Sequence, residues 1–76
     1  LGLNCLDPGQ TQKPHDHADQ DKFYYVFEGQ GQFQIGDDIL PAAAGEVVWA
    51  PAGVIHGVSN EADTPLTLLV GIAPAP

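Results

Sequence analysis

Two histidines separated by one residue, His15 and His17, are the side chains of this sequence best suited to chemistry. They lie in a run typical of a β-strand, where side chains alternate between faces, so both imidazoles are expected on one face. Two neighbouring imidazoles form half of a metal site. The only other histidine, His56, lies forty-one positions after His15, and we predict that the fold brings it opposite the pair. The alternative is an exposed His-x-His pair on a polar loop.

The length of 76 residues predicts one domain, residues 1–76, with a thin core. Seven prolines and nine glycines favour short strands joined by turns over helices. The sequence begins at Leu1 and contains no Met. We therefore expect it to be a piece of a longer protein that has further terminal segments.

The formal net charge of -8 predicts that the chain binds neither nucleic acid nor a membrane surface, because both are anionic. The single cysteine, Cys5, cannot form an internal disulfide, and we expect it to be a small buried side chain. The sequence has no signal peptide and no apolar run of about 18 residues. A cytoplasmic protein is therefore expected.

Short apolar segments punctuated by Gly and Pro predict an all-β fold of seven or eight strands, in two sheets that pack on each other or on a second subunit. Pro14 interrupts one strand, which we therefore place at a sheet edge or at a bulge. Residues 42–45 are interpreted as a loop, because Pro and Gly bound them too closely for a helix. The predicted strands are 1–6, 10–17, 22–28, 32–35, 39–40, 46–50, 54–59 and 66–72.

Two ordered motifs make positions 9–72 resemble a small cupin domain. The first motif, residues 9–29, has Gly9, five residues, His15-x-His17, four residues, Lys22, six residues and Gly29. The second motif, residues 45–60, meets every spacing of the family pattern with Gly45, Pro51, Gly53, His56 and Asn60. The resemblance implies a double-stranded β-helix, that is, a jelly-roll barrel.

All three histidines fall on the family's three histidine ligand positions, so the resemblance implies a divalent transition metal. Three imidazoles suit Zn, Fe, Ni or Cu, and Mn is included if Gln20 or a water contributes an oxygen. An all-oxygen Mg or Ca site is disfavoured.

Lys22 departs from the family pattern, which has a glutamate ligand at this position. An ammonium repels a metal ion and has no lone pair to donate. Three alternatives follow. In the first, the site has three histidine ligands and open positions for water or substrate. In the second, Gln20 or Asp21 supplies the oxygen ligand. In the third, the site binds metal weakly or not at all.

Strand alternation places Tyr24 on the same face as Lys22. If Lys22 faces the metal, the Tyr24 phenol could act as a general acid or hold a substrate oxygen; otherwise Tyr24 is an ordinary core aromatic. Lys22 could bind an anionic substrate, or act as a base if burial lowers its pKa. The alternative is a solvated or salt-bridged lysine near Asp19 or Asp21. For Trp49, Phe33 and Gln34 we favour a core-filling role.

Two functional hypotheses remain. The first is a small metalloenzyme of dioxygenase, isomerase or lyase type that acts on a small organic acid or aromatic. The second is a non-catalytic domain that binds a small ligand or metal, as a sensor or an accessory module. We expect a homodimer, formed by sheet edges or sheet faces, because so little core is available per chain.

Overall fold

The structure, a computed structural model, describes residues 2–15 and 20–73, and for residues 13–15 it describes the backbone alone. Eight strands and no helix occupy these residues, which confirms the predicted all-β class. No described segment is a helix of the length and apolar content needed to cross a bilayer. The strands are β1 (Gly2–Leu6), β2 (Thr11–His15), β3 (Asp21–Glu28), β4 (Gln30–Ile35), β5 (Asp38–Ala43), β6 (Val47–Ala50), β7 (His56–Ser59) and β8 (Leu66–Ala73).

The strands form two four-stranded antiparallel sheets. Sheet A has the order β1-β8-β3-β6, and sheet B has the order β2-β7-β4-β5. Strands adjacent in sequence repeatedly belong to opposite sheets, which gives the predicted jelly-roll barrel. As predicted from Pro14, β2 lies at the edge of sheet B, and its register with β7 shifts between Gln12 and His15.

The core fills the space between the inner faces of the two sheets. Tyr24 and Val26 of sheet A and Phe33 of sheet B are fully buried there. The alternation of buried and exposed positions along β3 and β4 has the period of two that a strand requires. The remaining core side chains are Leu6, Ala42, Val48, Ala50, Val58, Leu66, Leu68 and Val70.

The motif glycines occupy tight turns. Gly9, Gly29, Gly45 and Gly53 all have positive φ angles, between 78° and 93°, a region that L side chains avoid. Gly29 has a second constraint, because a Cβ at this position would collide with the carbonyl oxygen of Pro65. The turn between β3 and β4 can therefore approach the chain before β8 only with glycine.

Within the described residues, three strand boundaries differ from the prediction by two residues or more. β4 begins at Gln30 rather than at residue 32, and β7 begins at His56 rather than at residue 54. β5 continues through Pro41 to Ala43, where we expected a strand end and a loop over 42–45. The reason is that β5 is the edge strand of sheet B, where a residue without an N–H is tolerated.

Three side-chain predictions were wrong. Cys5 is exposed rather than buried, because it lies on the outward face of the edge strand β1. Trp49 does not fill the core but is 48% exposed on the outside of sheet A. Gln34 points away from Phe33 and donates from Nε2 to the Gly36 carbonyl oxygen at 3.2 Å. Of the three residues that we expected to fill the core, Phe33 alone does so.

Candidate metal and ligand site

His15 and His56 are direct partners in the antiparallel pair of β2 and β7. The register shift after Gln12 sets this pairing, so the irregularity around Pro14 determines which residue faces His56. Directly opposed residues of an antiparallel pair have their Cβ atoms about 4.5–5.5 Å apart and on one face. The backbone thus brings two of the three predicted metal ligands together from positions far apart in the sequence.

His56 projects into the barrel from the first position of β7 and is 1% exposed. Its Nδ1 lies 3.1 Å from the Val54 carbonyl oxygen. Because a carbonyl can only accept, Nδ1 carries the proton, and the neutral ring then has its lone pair on Nε2. This hydrogen bond fixes the ring orientation and the tautomer, as is usual for histidines that bind metal.

The other two predicted ligands are His17 and Gln20. His17 lies outside the described residues. Gln20 is half-buried and immediately precedes β3, two positions before Lys22. Among the side chains that the structure describes, those of residues 2–12 and 20–73, no three His, Cys, Asp or Glu form a group that could hold a metal ion.

Tyr24 extends from sheet A to the residues of sheet B. Its ring meets His56 edge-on, with centroids 6.2 Å apart and an interplanar angle of 67°, and it lies 5.2 Å from the Phe33 ring. The Tyr24 hydroxyl is buried and has no hydrogen-bond partner among the described residues. Burial raises the pKa of Tyr24 to about 12, so at neutral pH the hydroxyl keeps its proton and can donate it in a hydrogen bond.

Lys22 is buried on the same face of β3, as strand alternation predicted, with an exposed fraction of 8%. Its Nζ lies 5.3 Å from the centroid of the Tyr24 ring, a cation–π distance. Burial lowers the pKa of the ammonium. The Asp21 carboxylate accepts a hydrogen bond from the Ala52 amide. The burial of Lys22 contradicts the solvated lysine that we kept as an alternative, whereas an ion pair with Asp19 lies outside the described residues.

The site thus combines two chemically different walls. Sheet B places His56 inside the barrel with the backbone of His15 paired to it, and sheet A contributes an ammonium and a phenol hydroxyl. Such a combination can hold an anion whose oxygens take hydrogen bonds from Lys22 and Tyr24.

Two residues to which the sequence assigned no role also have buried polar atoms. Asn60 of the second motif is 0% exposed, and its side-chain amide joins two turns by donating to the carbonyl oxygens of Leu6 and Thr64. Gln12 has a buried Oε1 with no hydrogen-bond partner among the described residues. The bulge next to Gln12 hides its position from a simple alternation pattern.

A cavity of about 410 Å³ lies elsewhere on the molecule, beside β4 and β5. Its lining includes Gln30, Gln32 and Pro41, with Glu46 and Glu61 at its side. None of the predicted site residues lines this cavity. Its volume therefore does not bear on the chemistry of the histidines.

Comparison with known proteins identifies the family. The sequence matches the model of the cupin domain over residues 2–72. A solved structure of a Thermus thermophilus protein shares 46% identity with a TM-score of 0.92, over 97% of this chain and 70% of that chain. The structure of a predicted oxalate decarboxylase from Thermotoga maritima shares 30% identity with a TM-score of 0.89, over 92% of this chain and 61% of that chain.

Curated relatives are longer than this chain. An oxalate-binding protein of Thermotoga maritima is 31% identical over 67 residues, which are 88% of this chain and 55% of the relative. An uncharacterised Streptomyces coelicolor protein is 41% identical over 56 residues, which are 74% of this chain and 52% of that protein. The chain thus spans about half the length of the curated relatives it matches. The match over residues 2–72, with both motifs placed on one jelly-roll barrel, shows that the chain belongs to the cupin family.

Proposed function

We propose that this domain binds a small organic acid at a divalent transition metal held by His15, His17 and His56. The pairing of His15 with His56 in the β2–β7 register is the observation that supports this proposal best. Gln20 or water completes the coordination. Zn, Fe, Ni, Mn and Cu are the metals that such a ligand set accepts.

The buried ammonium of Lys22 specifies the charge of the ligand. Three neutral imidazoles leave the charge of a bound metal ion uncompensated, and Lys22 adds a further positive charge in the position where the cupin pattern has a glutamate. Two neighbouring cations repel each other. A carboxylate that contacts both the metal and Lys22 removes this repulsion, so metal and acid each strengthen the binding of the other.

A dicarboxylate fits this arrangement best, because one carboxylate can bind the metal while the other accepts hydrogen bonds from Lys22 and Tyr24. The Tyr24 hydroxyl is buried, protonated at neutral pH and oriented from the wall opposite His56. The oxalate-binding protein of Thermotoga maritima, 31% identical to this chain, supports the same ligand class.

Calorimetric titration of oxalate, and separately malonate, into protein loaded with one equivalent of Mn²⁺ tests the proposal. We expect one acid per chain and an affinity that falls at least about tenfold in Lys22→Met, which leaves the ammonium's hydrogen bonds unmade. Gln30→Glu changes the net charge by the same amount on an exposed strand position and is the matched control. The proposal fails if neither acid binds the loaded wild type, or if Lys22→Met binds as tightly as Gln30→Glu.

A second candidate is a metalloenzyme of dioxygenase, isomerase or lyase type, acting on the same acids or on an aromatic. The buried Tyr24 hydroxyl favours this candidate, because a phenol next to bound substrate can serve as a general acid. Release of formate from oxalate by the wild type, and its loss in Tyr24→Phe while oxalate still binds, would identify an enzyme. Binding without product release would identify a sensor or an accessory module. A cytoplasmic location stays a prediction.

A further inference from the structure

A side-chain hydrogen bond fastens the loop in front of β7 to the first residue of β3. The Oδ1 atom of Asp21 accepts this bond from the Ala52 amide at 2.6 Å. Asp21 belongs to sheet A, and the loop 51–55 leads from β6 of sheet A to His56, the first residue of β7 in sheet B. The contact therefore lies where the chain crosses to the sheet that carries the histidine positions.

A proline explains why a side chain makes this contact. β3 and β6 pair as far as Lys22 and Ala50, and the next residue of the chain, Pro51, has no N–H to continue the ladder. The first donor beyond it is the Ala52 amide, and the Asp21 carboxylate accepts its hydrogen bond. Hydrogen bonds to a carboxylate are roughly twice as strong as bonds between neutral groups, so this contact is suited to hold a loop that extends past the ladder.

The loop depends on hydrogen bonds because it adds little to the core. Four of its five residues are exposed, and Val54 is half-buried. The Val54 amide donates to the Pro51 carbonyl oxygen at 3.2 Å and closes a turn. The Gly36 amide, from the turn between β4 and β5, donates to the Ile55 carbonyl oxygen at 2.8 Å. The Asp21 side chain thus holds the start of the loop, and Gly36 holds its end.

Between these two points lies the carbonyl that orients the His56 ring. The Val54 carbonyl oxygen is 3.1 Å from His56 Nδ1, and this contact leaves the lone pair of the neutral ring on Nε2. Val54 lies two positions after Ala52. A displaced Ala52 amide would therefore displace this carbonyl as well.

We infer that Asp21 is a positioning residue, which fixes the orientation and the tautomer of the His56 ring by holding Ala52 and, through the loop, the Val54 carbonyl. This role rests on the proposed metal site, since a fixed lone pair on Nε2 serves a bound metal ion. It differs from the oxygen-ligand role that the sequence left open for Asp21, because Asp21 acts on the ring from outside the coordination sphere.

Two variants at position 21 separate the hydrogen bond from the charge. Asp21→Asn and Asp21→Ala both remove one negative charge, but only Asn keeps an acceptor oxygen for the Ala52 amide. The first measurement is ¹⁵N NMR of the His56 ring in metal-free protein at about pH 8, where imidazoles are ordinarily neutral. We expect a proton on Nδ1 in wild type and in Asp21→Asn, and a mixture of both tautomers in Asp21→Ala.

The second measurement is the affinity for Zn²⁺. Asp21→Ala should bind Zn²⁺ at least about fivefold more weakly than Asp21→Asn, a smaller effect than the roughly 10–100-fold typical of partners that touch a ligand directly. Ser59→Ala is the control, because it removes another exposed hydrogen bond of β7, the one that Ser59 Oγ donates to Glu61. This variant should keep the wild-type tautomer and affinity, and circular dichroism should show that all variants are folded.

The tautomer and the affinity distinguish failure of this role from failure of the metal site. A wild type that binds no Zn²⁺ overturns the metal site, and the tautomers of the metal-free proteins then decide the role of Asp21. Asp21→Ala with a proton on Nδ1 alone, as in wild type, would overturn the positioning role. Equal Zn²⁺ affinities of Asp21→Ala and Asp21→Asn, or mixed tautomers in Ser59→Ala, would overturn it too.

Discussion

His15 stands directly opposite His56 across the β2–β7 strand pair, at the point where a register shift interrupts the pairing. The two residues come from different motifs, and the bulge around Pro14 rather than a regular ladder aligns them. The opposite sheet faces this pair with Lys22 and Tyr24, both buried. Backbone pairing thus brings the two histidine positions together, and Lys22 and Tyr24 lie on the inner face of the other sheet.

We expect the charge of Lys22 to control metal affinity. Lys22→Met removes the repulsion between ammonium and metal ion, and Lys22→Glu in addition supplies an oxygen ligand. Calorimetric titration with Zn²⁺ in the absence of organic acid should therefore rank the affinities as Lys22→Glu, then Lys22→Met, then wild type. Equal affinities in all three proteins would mean that Lys22 is remote from the metal.

We expect Tyr24 to ionise far above the usual range of a phenol. In a Tyr25→Phe background Tyr24 is the only tyrosine, and its absorbance change near 295 nm should have a midpoint at about 12. The folded pKa is raised, so this group contributes full stability below the unfolded pKa of about 10 and loses that contribution as the pH rises toward 12. A midpoint near 10 in the folded protein would contradict the burial of this hydroxyl.

Alanine substitutions at Gly29 and Gly45 distinguish the cost of backbone strain from the cost of a steric collision. Both have positive φ, 88° and 93°, but a Cβ at Gly29 meets the Pro65 carbonyl oxygen, whereas a Cβ at Gly45 meets nothing within 4 Å. Gly45→Ala should cost about 1–2 kcal/mol for the left-handed conformation alone. Urea unfolding should show a clearly larger loss for Gly29→Ala. Equal losses would argue that the turn moves away from Pro65 at no cost.

Asn60 should be a structural residue of the second motif. It donates to the carbonyl oxygens of Leu6 and Thr64 at 2.9 and 2.8 Å, and it accepts from the Ala62 amide at 3.0 Å. Asn60→Ala leaves these groups unpaired and should lower the free energy of unfolding by about 2–4 kcal/mol. Asn4→Ala is the matched control at a half-buried position, and we expect it to cost less than about 1 kcal/mol. A similar cost for both variants would contradict this assignment.

The fold could be predicted because its signals are local. The aromatic run of β3 and the motif glycines define strands and turns from a few residues each. The strand through Pro41 could not be predicted, because a proline is compatible with a strand only at an edge, and strand order depends on the whole chain.

One part of the candidate site, the shared face of Lys22 and Tyr24, could be predicted because strand alternation is also a local signal. Alternation along β3 correctly grouped Lys22 with Tyr24. Alternation cannot say which face of a strand with apolar residues on both sides meets the core. The exposure of Trp49 and Cys5 therefore followed only from the packing of the two sheets.

The central claim is that three imidazoles share one metal ion, and ¹⁵N NMR of the histidine rings during Zn²⁺ titration tests it without any substitution. The sequence contains only His15, His17 and His56, so every ring signal can be followed. All three rings should shift together, and the shifts should saturate at one equivalent of Zn²⁺. The claim is contradicted if the ring of His56 keeps its metal-free shifts while the other two respond, or if no ring responds.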